Sequence, residues 1–429
     1  MHWTHRISPD TAAHVVRRAL AEGRLGENAP ALIAHDLGLM RARLAELRAA
    51  FPPTALHAVA IKANPLLEVL KRLVSAGAGL EAASIGEVRL ALAAGCQPDR
   101  IVFDSPAKTR SELQEALALG LRINADNFEE LARLAAIMPH VETTSRIGLR
   151  VNPLVGEGAI AMTSVSGQAS KFGTPLTDRQ AILAAFARHP WLTGLHVHVG
   201  SQGCPMPMLL EAAGRVTALM AEINRQAGHR QVRTLDLGGG LPARYDDAAE
   251  TPTLEAYVAG LRQAAPAAFE PDLELVTEFG RAIQANCGWA VSRVEYVKRA
   301  GDAPLAVLHL GADFMLRTAY RPADWPHQFA VLDAEGRLKA GPTAPWTLAG
   351  PLCFSGDMLG TGVPLPAIAP GDWVLLRDVG AYTLGMWSRY CSRPIPAVVG
   401  YDDPDSPLIT LREAETPDDL VAFWSGPRI

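Results

Sequence analysis

The fold is decided by residues 56–95, LHAVAIKANPLLEVLKRLVSAGAGLEAASIGEVRLALAAG. This stretch contains two short apolar runs, Leu56–Ile61 and Gly79–Ala83, each followed by a longer helical pattern. Strands that are apolar on both sides are typical of parallel sheets with both faces covered. Ser84–Glu87 has the pattern of a capping box, and Gly95 follows as a helix stop. The stretch therefore predicts alternating strands and helices.

The same alternation extends to about residue 285. Six further short apolar runs are predicted as strands: Ile101–Phe103, Leu121–Asn124, Ile147–Val151, Gly194–Val199, Thr234–Leu237 and Leu273–Thr277. Eight strands with intervening helices over roughly 250 residues are typical of a (β/α)8 TIM-like barrel. An open doubly wound sheet is also compatible with the alternation, but no G-x-G-x-x-G turn follows the first strand. We therefore expect an α/β barrel over residues 36–285.

The pattern changes after about residue 290. Short β-like runs are separated there by Gly, Pro and Asp turns: VSRVEYVKR, PLAVLHLG, HQFAVLD, WTLAGPLC, DWVLLRD and AVVGYD. Most of these runs have no helix-length pattern between them, which favours an all-β structure. We expect a second β domain, sandwich-like or barrel-like, formed by residues 1–35 and 286–429.

Composition and charge argue against a nucleic-acid-binding, membrane-spanning or secreted protein. The chain has 429 residues, of which 48% are hydrophobic and 20% charged, and this is ordinary globular composition. Its 40 Lys and Arg against 45 Asp and Glu give a net charge of −5 without a basic run, so nucleic acid is not an expected partner. No apolar stretch reaches the ~18 residues that span a bilayer, and the first residues lack a secretion signal.

The cysteines indicate a reducing compartment. Cys96, Cys204, Cys287, Cys353 and Cys391 are odd in number, widely spaced and without a C-x-x-C pair. A disulfide framework or a metal site is therefore not expected, and a cytoplasmic location fits best. Four of the five, all except Cys353, are expected to be buried thiols.

Chemically useful residues follow several predicted strands. In a parallel barrel these positions share one rim, where reactive groups lie. The rim set is Lys62, Glu81–Ser84, Asn152, His198, Gly200-Ser201, Gly238-Gly239-Gly240, Glu278 and Gly280-Arg281. Glycine N–H groups, a hydroxyl and an arginine suit a phosphate. An imidazole can pack on a pyridine ring, and a carboxylate can lie beside the ring nitrogen. The set therefore suits a phosphate-bearing ring cofactor held by a lysine.

Each member of the set also has a simpler explanation. Lys62 alone could be a surface lysine, and the three glycines could form only a tight turn. His198 could be a satisfied core histidine, and Glu278 could simply pair with Arg281. Ser84 is fully explained as a helix N-cap. The joint placement of the rim residues is what favours the cofactor.

Longer blocks resemble a known family, the fold type III pyridoxal-phosphate decarboxylases that act on diaminopimelate, ornithine and arginine. The blocks occur in order along nearly the whole chain: HAVAIKANPLLEVLKRL, LEAASIGEVRLALAAGC, RIGLRVNP, SKFGTPL, GLHVHVGSQ, LDLGGGLPARY, TEFGRAI, GPLCFSGDML and DVGAYTLGM. The KAN, SKFG, HVGSQ and C-x-SGD segments are most similar to the diaminopimelate branch.

The resemblance implies a role for each matched residue. Lys62 would form the Schiff base with pyridoxal 5'-phosphate, and Cys353 would protonate the product from the partner subunit of a homodimer. The other cofactor contacts would be His198, Ser201, Gly238, Gly239, Gly240, Glu278, Gly280, Arg281 and Tyr382. The expected substrate contacts are Arg317, Tyr320, Phe354 and Asp357.

One departure from the family pattern bears on the substrate. The relatives carry an acidic residue after the catalytic cysteine, where it binds the distal ammonium of the substrate, and this chain has Phe354. A phenyl ring offers only an apolar wall or a weak cation–π surface. We therefore expect an amino-acid α-decarboxylase with poor turnover of diaminopimelate, lysine and ornithine.

Two smaller departures leave the main residues in place. The family's EPGR is EFGR here, which keeps Glu278 and Arg281, and the spacing of Arg317 and Tyr320 is one residue shorter than in the family.

Two other functions are compatible with the fold. A related racemase or epimerase would place an arginine at the ring nitrogen and use a tyrosine base, so Glu278 and the GPLC segment favour decarboxylation. A non-catalytic homologue that binds a partner protein would have no need of Lys62, Cys353 and the phosphate-binding set.

Overall fold

The computed structural model describes residues 3–247, 251–301 and 303–426. The chain begins with helix α1, Pro9–Ala21, and strand β1, Ala31–Asp36. Ser8 caps α1, because its side chain accepts a hydrogen bond from the N–H of Thr11. A barrel of parallel strands and then a mainly antiparallel sheet follow along the chain.

Eight parallel strands form the barrel, and each pairs with two neighbours. They are β2 Leu56–Ala60, β3 Gly79–Ala82, β4 Ile101–Asp104, β5 Arg122–Ala125, β6 Arg146–Asn152, β8 Leu192–His196, β9 Thr234–Asp236 and β10 Glu274–Thr277. The circle closes where β10 pairs with β2 and β5 pairs with β6. The two-residue strand β7, Thr174–Pro175, pairs with the end of β6 and is not one of the eight barrel strands. The predicted barrel and its eight strands are confirmed, with strand ends shifted by at most three residues.

Helices surround the barrel and follow most of its strands. They are α2 Leu37–Ala50, α3 Leu67–Ser75, α4 Ile85–Ala93, α5 Arg110–Leu119, α6 Phe128–Ile137, α7 Arg179–Arg188, α8 Met206–Ala227, α9 Leu254–Ala264 and α10 Arg281–Gln284. Thr109 and Glu112 form a complete capping box on α5. Ser84 caps α4, but Glu87 binds the N–H of Ala83 instead of closing the predicted box. Apolar side chains between helices and strands form the core, such as Leu70 and Leu117, which are fully buried.

The second domain is built on a nine-stranded sheet that includes β1. Its other strands are β11 Gly288–Ala300, β12 Ala303–Leu308, β13 Phe329–Leu332, β14 Ala344–Ala349, β15 Met358–Leu365, β16 Trp373–Leu376, β17 Ala397–Tyr401 and β18 Ile409–Arg412. Two helices accompany them, α11 Leu316–Tyr320 and α12 Pro417–Ser425. The predicted β domain is thus confirmed as a fold class.

The N-terminal segment joins this second sheet. β1 pairs antiparallel with β11 and parallel with β17, so residues before the barrel contribute a central strand. The division into 36–285 and 1–35 with 286–429 stays a prediction. In the described ranges, no helix combines the length and the apolar composition needed to cross a bilayer.

A loop of the β domain lies against the lysine-bearing end of the barrel. The N–H of Tyr382 donates to the carbonyl of Ala63 at 2.8 Å. Nearby, the Asn64 side chain lies 3.4 Å from the carbonyl of Gly380. Gly380 has to be a glycine, because a Cβ there would lie 2.0 Å from the carbonyl oxygen of Gln284. The second domain therefore contributes a loop to the rim of the barrel.

Candidate active site

Lys62 follows β2 in the short helical turn Ile61–Ala63. Its Nζ donates to both carboxylate oxygens of Glu81, at 2.6 Å from Oε1 and 2.5 Å from Oε2. Glu81 is fully buried, whereas 42% of the Lys62 side chain is exposed. Burial would lower the pKa of Lys62, but the nearby Glu81 and Tyr382 raise it above its usual value. The lysine is therefore held as an accessible ammonium ion.

Glu278 follows β10 and is 5% exposed. Burial raises the pKa of Glu278 to about 8, and the charges of Glu81 and Asp104 act in the same direction. Its Oε2 lies 3.6 Å from Nε2 of the fully buried His196. Its Oε1 has no hydrogen-bond partner within the described part of the chain. Glu278 can therefore hold a proton near neutral pH and still present a free oxygen.

The same histidine connects Glu278 to a buried ion pair. Nδ1 of His196 lies 3.6 Å from Oδ1 of Asp104, and Arg150 donates to Oδ2 of Asp104 at 3.0 Å. Burial would raise the pKa of Asp104, but Arg150 and His196 hold it below its usual value. The ligand atoms of Asp104, His196 and Glu278 all lie within 4.8 Å of one another. With Arg150 beside them, these groups form a buried charged cluster, and the absence of a metal stays a prediction.

The three glycines follow β9 as Gly238–Gly240. Gly238 has φ of 64° and Gly240 has φ of 115°, both in the region that favours glycine. A Cβ on Gly239 would lie 2.7 Å from the carbonyl oxygen of Glu278. The N–H of Gly239 donates to Nδ1 of His198 at 3.1 Å, which fixes the imidazole ring. Burial lowers the pKa of His198 well below its usual value, so the ring is neutral.

Arg281 lies beside this turn and is 3% exposed. Its Nε donates to Oγ of Ser201 at 3.0 Å, and its Nη1 donates to Oη of Tyr245 at 2.7 Å. The guanidinium carbon lies 4.4 Å from the ring centroid of Tyr382 and 4.7 Å from that of Trp325. Nη2 is buried and has no partner in the described part of the chain. One edge of the guanidinium is thus left for an anion.

Gly280 and Tyr382 bring the lysine and arginine segments together. A Cβ on Gly280 would lie 2.9 Å from the methyl carbons of both Ala60 and Ala63, so only glycine lets β10 end this close to the lysine turn. Tyr382 has φ of 58°, and its N–H is bound by the carbonyl of Ala63. The predicted residues Lys62, Gly280, Arg281 and Tyr382 are therefore neighbours.

Arg317 provides a second guanidinium in the same place. Its guanidinium carbon lies 4.8 Å from the ring centroid of Tyr382 and 5.0 Å from that of Trp325. Nη1 of Arg317 is buried and unpartnered within the described residues. Burial and the charge of Arg281 lower the pKa of Arg317. Both arginines thus lie over the same two aromatic rings and keep free N–H groups. They suit two anionic groups, such as a phosphate and a carboxylate.

Cys353 and Phe354 lie apart from these residues, in the turn between β14 and β15. Cys353 is exposed, and its N–H and carbonyl bind the Cys391 sulfur and the Tyr390 hydroxyl. The ring of Phe354 stacks on Tyr320, with centroids 6.0 Å apart, and meets the edge of Tyr390 at the same distance. Tyr320 and Tyr390 are 65% and 51% exposed. Cys353, which is predicted to serve a partner subunit, therefore lies on the surface together with the rings around Phe354.

Asp357 has a different setting from the other predicted substrate residues. It is 2% exposed, and its two carboxylate oxygens each accept a backbone N–H, from Ala312 and Leu352, at 2.6 Å. Gly311 and Gly350 pack against the carboxylate, since a Cβ on either would lie 2.4 Å from it. This placement favours support of the Cys353 turn over direct contact with substrate.

Sequence patterns missed several residues of the site. Tyr245, Trp325 and His196 were given no role, although Tyr245 lies five residues after the triple glycine and His196 two before His198. No local signal identifies Trp325, which reaches Arg281 only through the tertiary fold. The expectation that Cys391 is buried is wrong, because its turn lies on the surface beside Cys353.

The chain is similar to known pyridoxal-dependent decarboxylases. Residues 37–285 match the family model described as "Pyridoxal-dependent decarboxylase, pyridoxal binding domain". The diaminopimelate decarboxylase of Pseudomonas aeruginosa is 34% identical over 359 residues, covering 82% of this chain and 83% of that protein. The diaminopimelate decarboxylase of Deinococcus radiodurans is 35% identical over 366 residues, covering 85% and 87%.

A solved structure shows the same overall fold. The diaminopimelate decarboxylase from Helicobacter pylori, complexed with L-lysine, superposes with a TM-score of 0.83 at 27% sequence identity. The match covers 95% of this chain and 99% of that chain. The chain therefore belongs to the fold type III pyridoxal-phosphate-dependent amino-acid decarboxylases, within the diaminopimelate decarboxylase branch.

Proposed function

We propose that the enzyme removes the α-carboxylate of an amino acid whose side chain carries no distal ammonium. Diaminopimelate, lysine and ornithine are then poor substrates, even though curated relatives are named diaminopimelate decarboxylases. The observation that carries this proposal is the environment of Phe354. It occupies the position of the family's acidic residue and packs between the rings of Tyr320 and Tyr390.

The cavity at Phe354 has no charge to offer an ammonium group. Its volume is about 230 Å³, and its lining residues are Ala312, Leu316, Tyr320, Leu352, Phe354, Ser388 and Tyr390. The nearby carboxylate of Asp357 is already bound by two backbone N–H groups. An ammonium placed here would lose its water without gaining a hydrogen-bonded anion, which is costly. An apolar or aromatic side chain fits this cavity better.

The residues of the barrel rim fit pyridoxal phosphate. The free Nη2 of Arg281, the hydroxyl of Ser201 and the glycine turn Gly238–Gly240 form a donor set suited to the phosphate. The half-buried His198 offers a neutral ring as a stacking surface, and Glu278 offers an oxygen for the pyridine nitrogen. Lys62 is the amine that would hold the cofactor covalently. When bound, the cofactor would supply a conjugated ring that accepts the electron pair left on the α-carbon when CO₂ departs.

The chain's own groups then have distinct tasks. Glu278, with its pKa raised to about 8 by burial, holds a proton that a neighbouring basic nitrogen can share. Glu81 holds the Lys62 ammonium and can accept its proton when the free amine is required. Arg317, beside Arg281, provides unpaired N–H groups for a substrate carboxylate. The thiol of Cys353 donates a proton to the α-carbon after CO₂ has left.

We propose that Cys353 does so from the partner subunit of a homodimer. The support is the surface formed around Cys353 by Tyr320, Phe354 and Tyr390, since such exposed rings are typical of interfaces. Cytoplasmic location is also proposed, and the five free cysteines support it.

Release of CO₂ and amine from a panel of amino acids tests the proposed reaction. The panel should contain diaminopimelate, lysine and ornithine together with aromatic and acylated diamino acids. We expect activity on members without a distal ammonium, and none for Lys62→Ala. Lys71→Ala is the matched control, because Lys71 forms an exposed pair with Glu68 away from the rim. Preferred turnover of diaminopimelate would show that the substrate part of the proposal is wrong.

Borohydride reduction of the enzyme tests the role of Lys62. We expect the cofactor to be fixed to the peptide that contains Lys62. Its attachment to another lysine would contradict the assigned site.

A further inference from the structure

Cys353 and Cys391 form a close pair of exposed thiols. The N–H of Cys353 donates to the sulfur of Cys391 at 3.4 Å. The other three cysteines, Cys96, Cys204 and Cys287, are each at most 3% exposed. Of the five thiols in the chain, only this pair combines mutual contact with access to solvent.

The fold holds both partners of the pair in place. The Cys353 turn is fixed by the hydroxyl of Tyr390, which donates to the Cys353 carbonyl at 3.2 Å. Cys391 and Ser392 have φ of 59° and 49°, uncommon conformations for residues other than glycine. Glu415 anchors this second turn by accepting from Arg389 and from the N–H of Ile395. The contact between the thiols is therefore a property of two fixed turns.

We propose that Cys353 and Cys391 form a reversible disulfide within one chain when the enzyme meets a small-molecule disulfide. One protein thiol, as thiolate, attacks the reagent and releases one reduced thiol. The second protein thiolate displaces the other half of the reagent as a second thiol. The protein loses two electrons and two protons, and the reagent gains them.

The disulfide would switch the enzyme off, and this consequence rests on the proposed function of Cys353. A sulfur bound to Cys391 has no hydrogen to donate to the α-carbon. Formation of the disulfide itself depends only on the placement of the two thiols. The two statements can therefore be tested by separate measurements.

The test uses the holoenzyme and 2-hydroxyethyl disulfide, a small uncharged reagent. After incubation, free thiols are alkylated and a non-reduced digest is analysed by mass spectrometry. We expect a peptide pair joining Cys353 to Cys391, a mass lower by two hydrogens, and alkylation of the three buried thiols only after unfolding. Activity should fall at least about a hundredfold, the lower end of what a general acid contributes, and return with dithiothreitol.

Two variants separate this proposal from its alternatives. Cys391→Ser should keep its activity when reduced and should form only a mixed disulfide with the reagent at Cys353. Cys287→Ser, at a buried thiol, should behave like the unaltered enzyme. Mixed disulfides alone, or a bond between chains, in the unaltered enzyme would overturn the proposal. A Cys353–Cys391 disulfide that leaves activity unchanged would support the pairing and contradict the proposed role of Cys353.

Discussion

Lys62 and Glu81 are joined by two hydrogen bonds, from Nζ to each carboxylate oxygen. Glu81 stands at the end of β3, the strand next to β2, so adjacent strands of the barrel present the two groups to each other. The charge of Glu81 raises the pKa of Lys62 against the opposing effect of burial. An ammonium ion is not nucleophilic, so the lysine has to release a proton before it can bind a carbonyl compound.

Replacing Glu81 should therefore change the pH dependence of cofactor uptake. In the unaltered apoenzyme, we expect covalent capture of pyridoxal phosphate by Lys62 to accelerate as pH rises. In Glu81→Gln this acceleration should shift to lower pH, because the largest charge that opposes the effect of burial on the pKa of Lys62 is then removed and only Tyr382 and Glu278 still oppose it. The absorbance change after mixing apoenzyme with cofactor measures the rate. Glu68→Gln, which removes an exposed lysine pair, is the control, and identical profiles for all three proteins would contradict the prediction.

Phe354→Glu should shift specificity toward diamino acids. A carboxylate in the cavity beside Tyr320 and Tyr390 would give a distal ammonium a charged hydrogen-bond partner, worth about 1.5–3 kcal/mol, or roughly tenfold or more in kcat/KM. Steady-state kinetics on diaminopimelate, lysine and ornithine measure the gain. Phe354→Leu is the matched control, since it keeps the cavity uncharged. An equal effect of both substitutions would mean that another residue selects the side chain.

Inactive subunits should complement each other if Cys353 acts across a dimer interface. A dimer of one Lys62→Ala chain and one Cys353→Ala chain contains one intact site and one site that lacks both groups. Random mixing of equal amounts should restore about a quarter of the unaltered activity, because half of the dimers are mixed. Activity is measured after subunit exchange, which mass spectrometry of isotope-labelled chains establishes. Exchange without any recovery would place both groups in one chain's site.

The sequence predicted the barrel because the parallel strands are short apolar runs that alternate with helical patterns, several of which begin at a capping residue, as at Ser84 and Thr109. Strands such as β18, Ile409–Arg412, were missed because a short edge strand with mixed polarity leaves little pattern. Within the site, Lys62 and Glu278 could be predicted to share one rim because both directly follow strands of a parallel barrel. The contact of Trp325 with Arg281 depends on how a loop of the β domain folds back, and no local pattern reports it. The exposure of Cys391 was missed because the residues around it, with Arg and Pro close by, show no apolar periodicity from which a buried or an exposed face could be predicted.

The stability of the apoenzyme should reveal the buried proton of Glu278. Burial raises the pKa of Glu278 to about 8 from its ordinary 4.5, so between these values the folded state binds a proton that the unfolded chain has lost. The free energy of unfolding therefore falls as pH rises through this range, by up to about 1.4 kcal/mol per pH unit. Glu278→Gln cannot ionise and should lose the part of this decline that Glu278 contributes. Denaturant unfolding of the apoenzyme at several pH values measures the slope.

Glu274, at the start of the strand that Glu278 follows, supplies a control because its pKa is shifted in the opposite direction. Burial would raise the pKa of Glu274, but hydrogen bonds and charge from Arg122 and Arg146 lower it below its ordinary value. Its contribution to stability is therefore present above the ordinary carboxyl pKa and is lost as pH falls through the lowered one. Glu274→Gln should destabilise the protein at neutral pH while leaving the decline toward pH 8 in place. If Glu278→Gln keeps the whole decline, the proton is held elsewhere. Asp236 is then the next group to replace, because burial and the neighbouring Glu278 raise the pKa of Asp236 to about 8 as well.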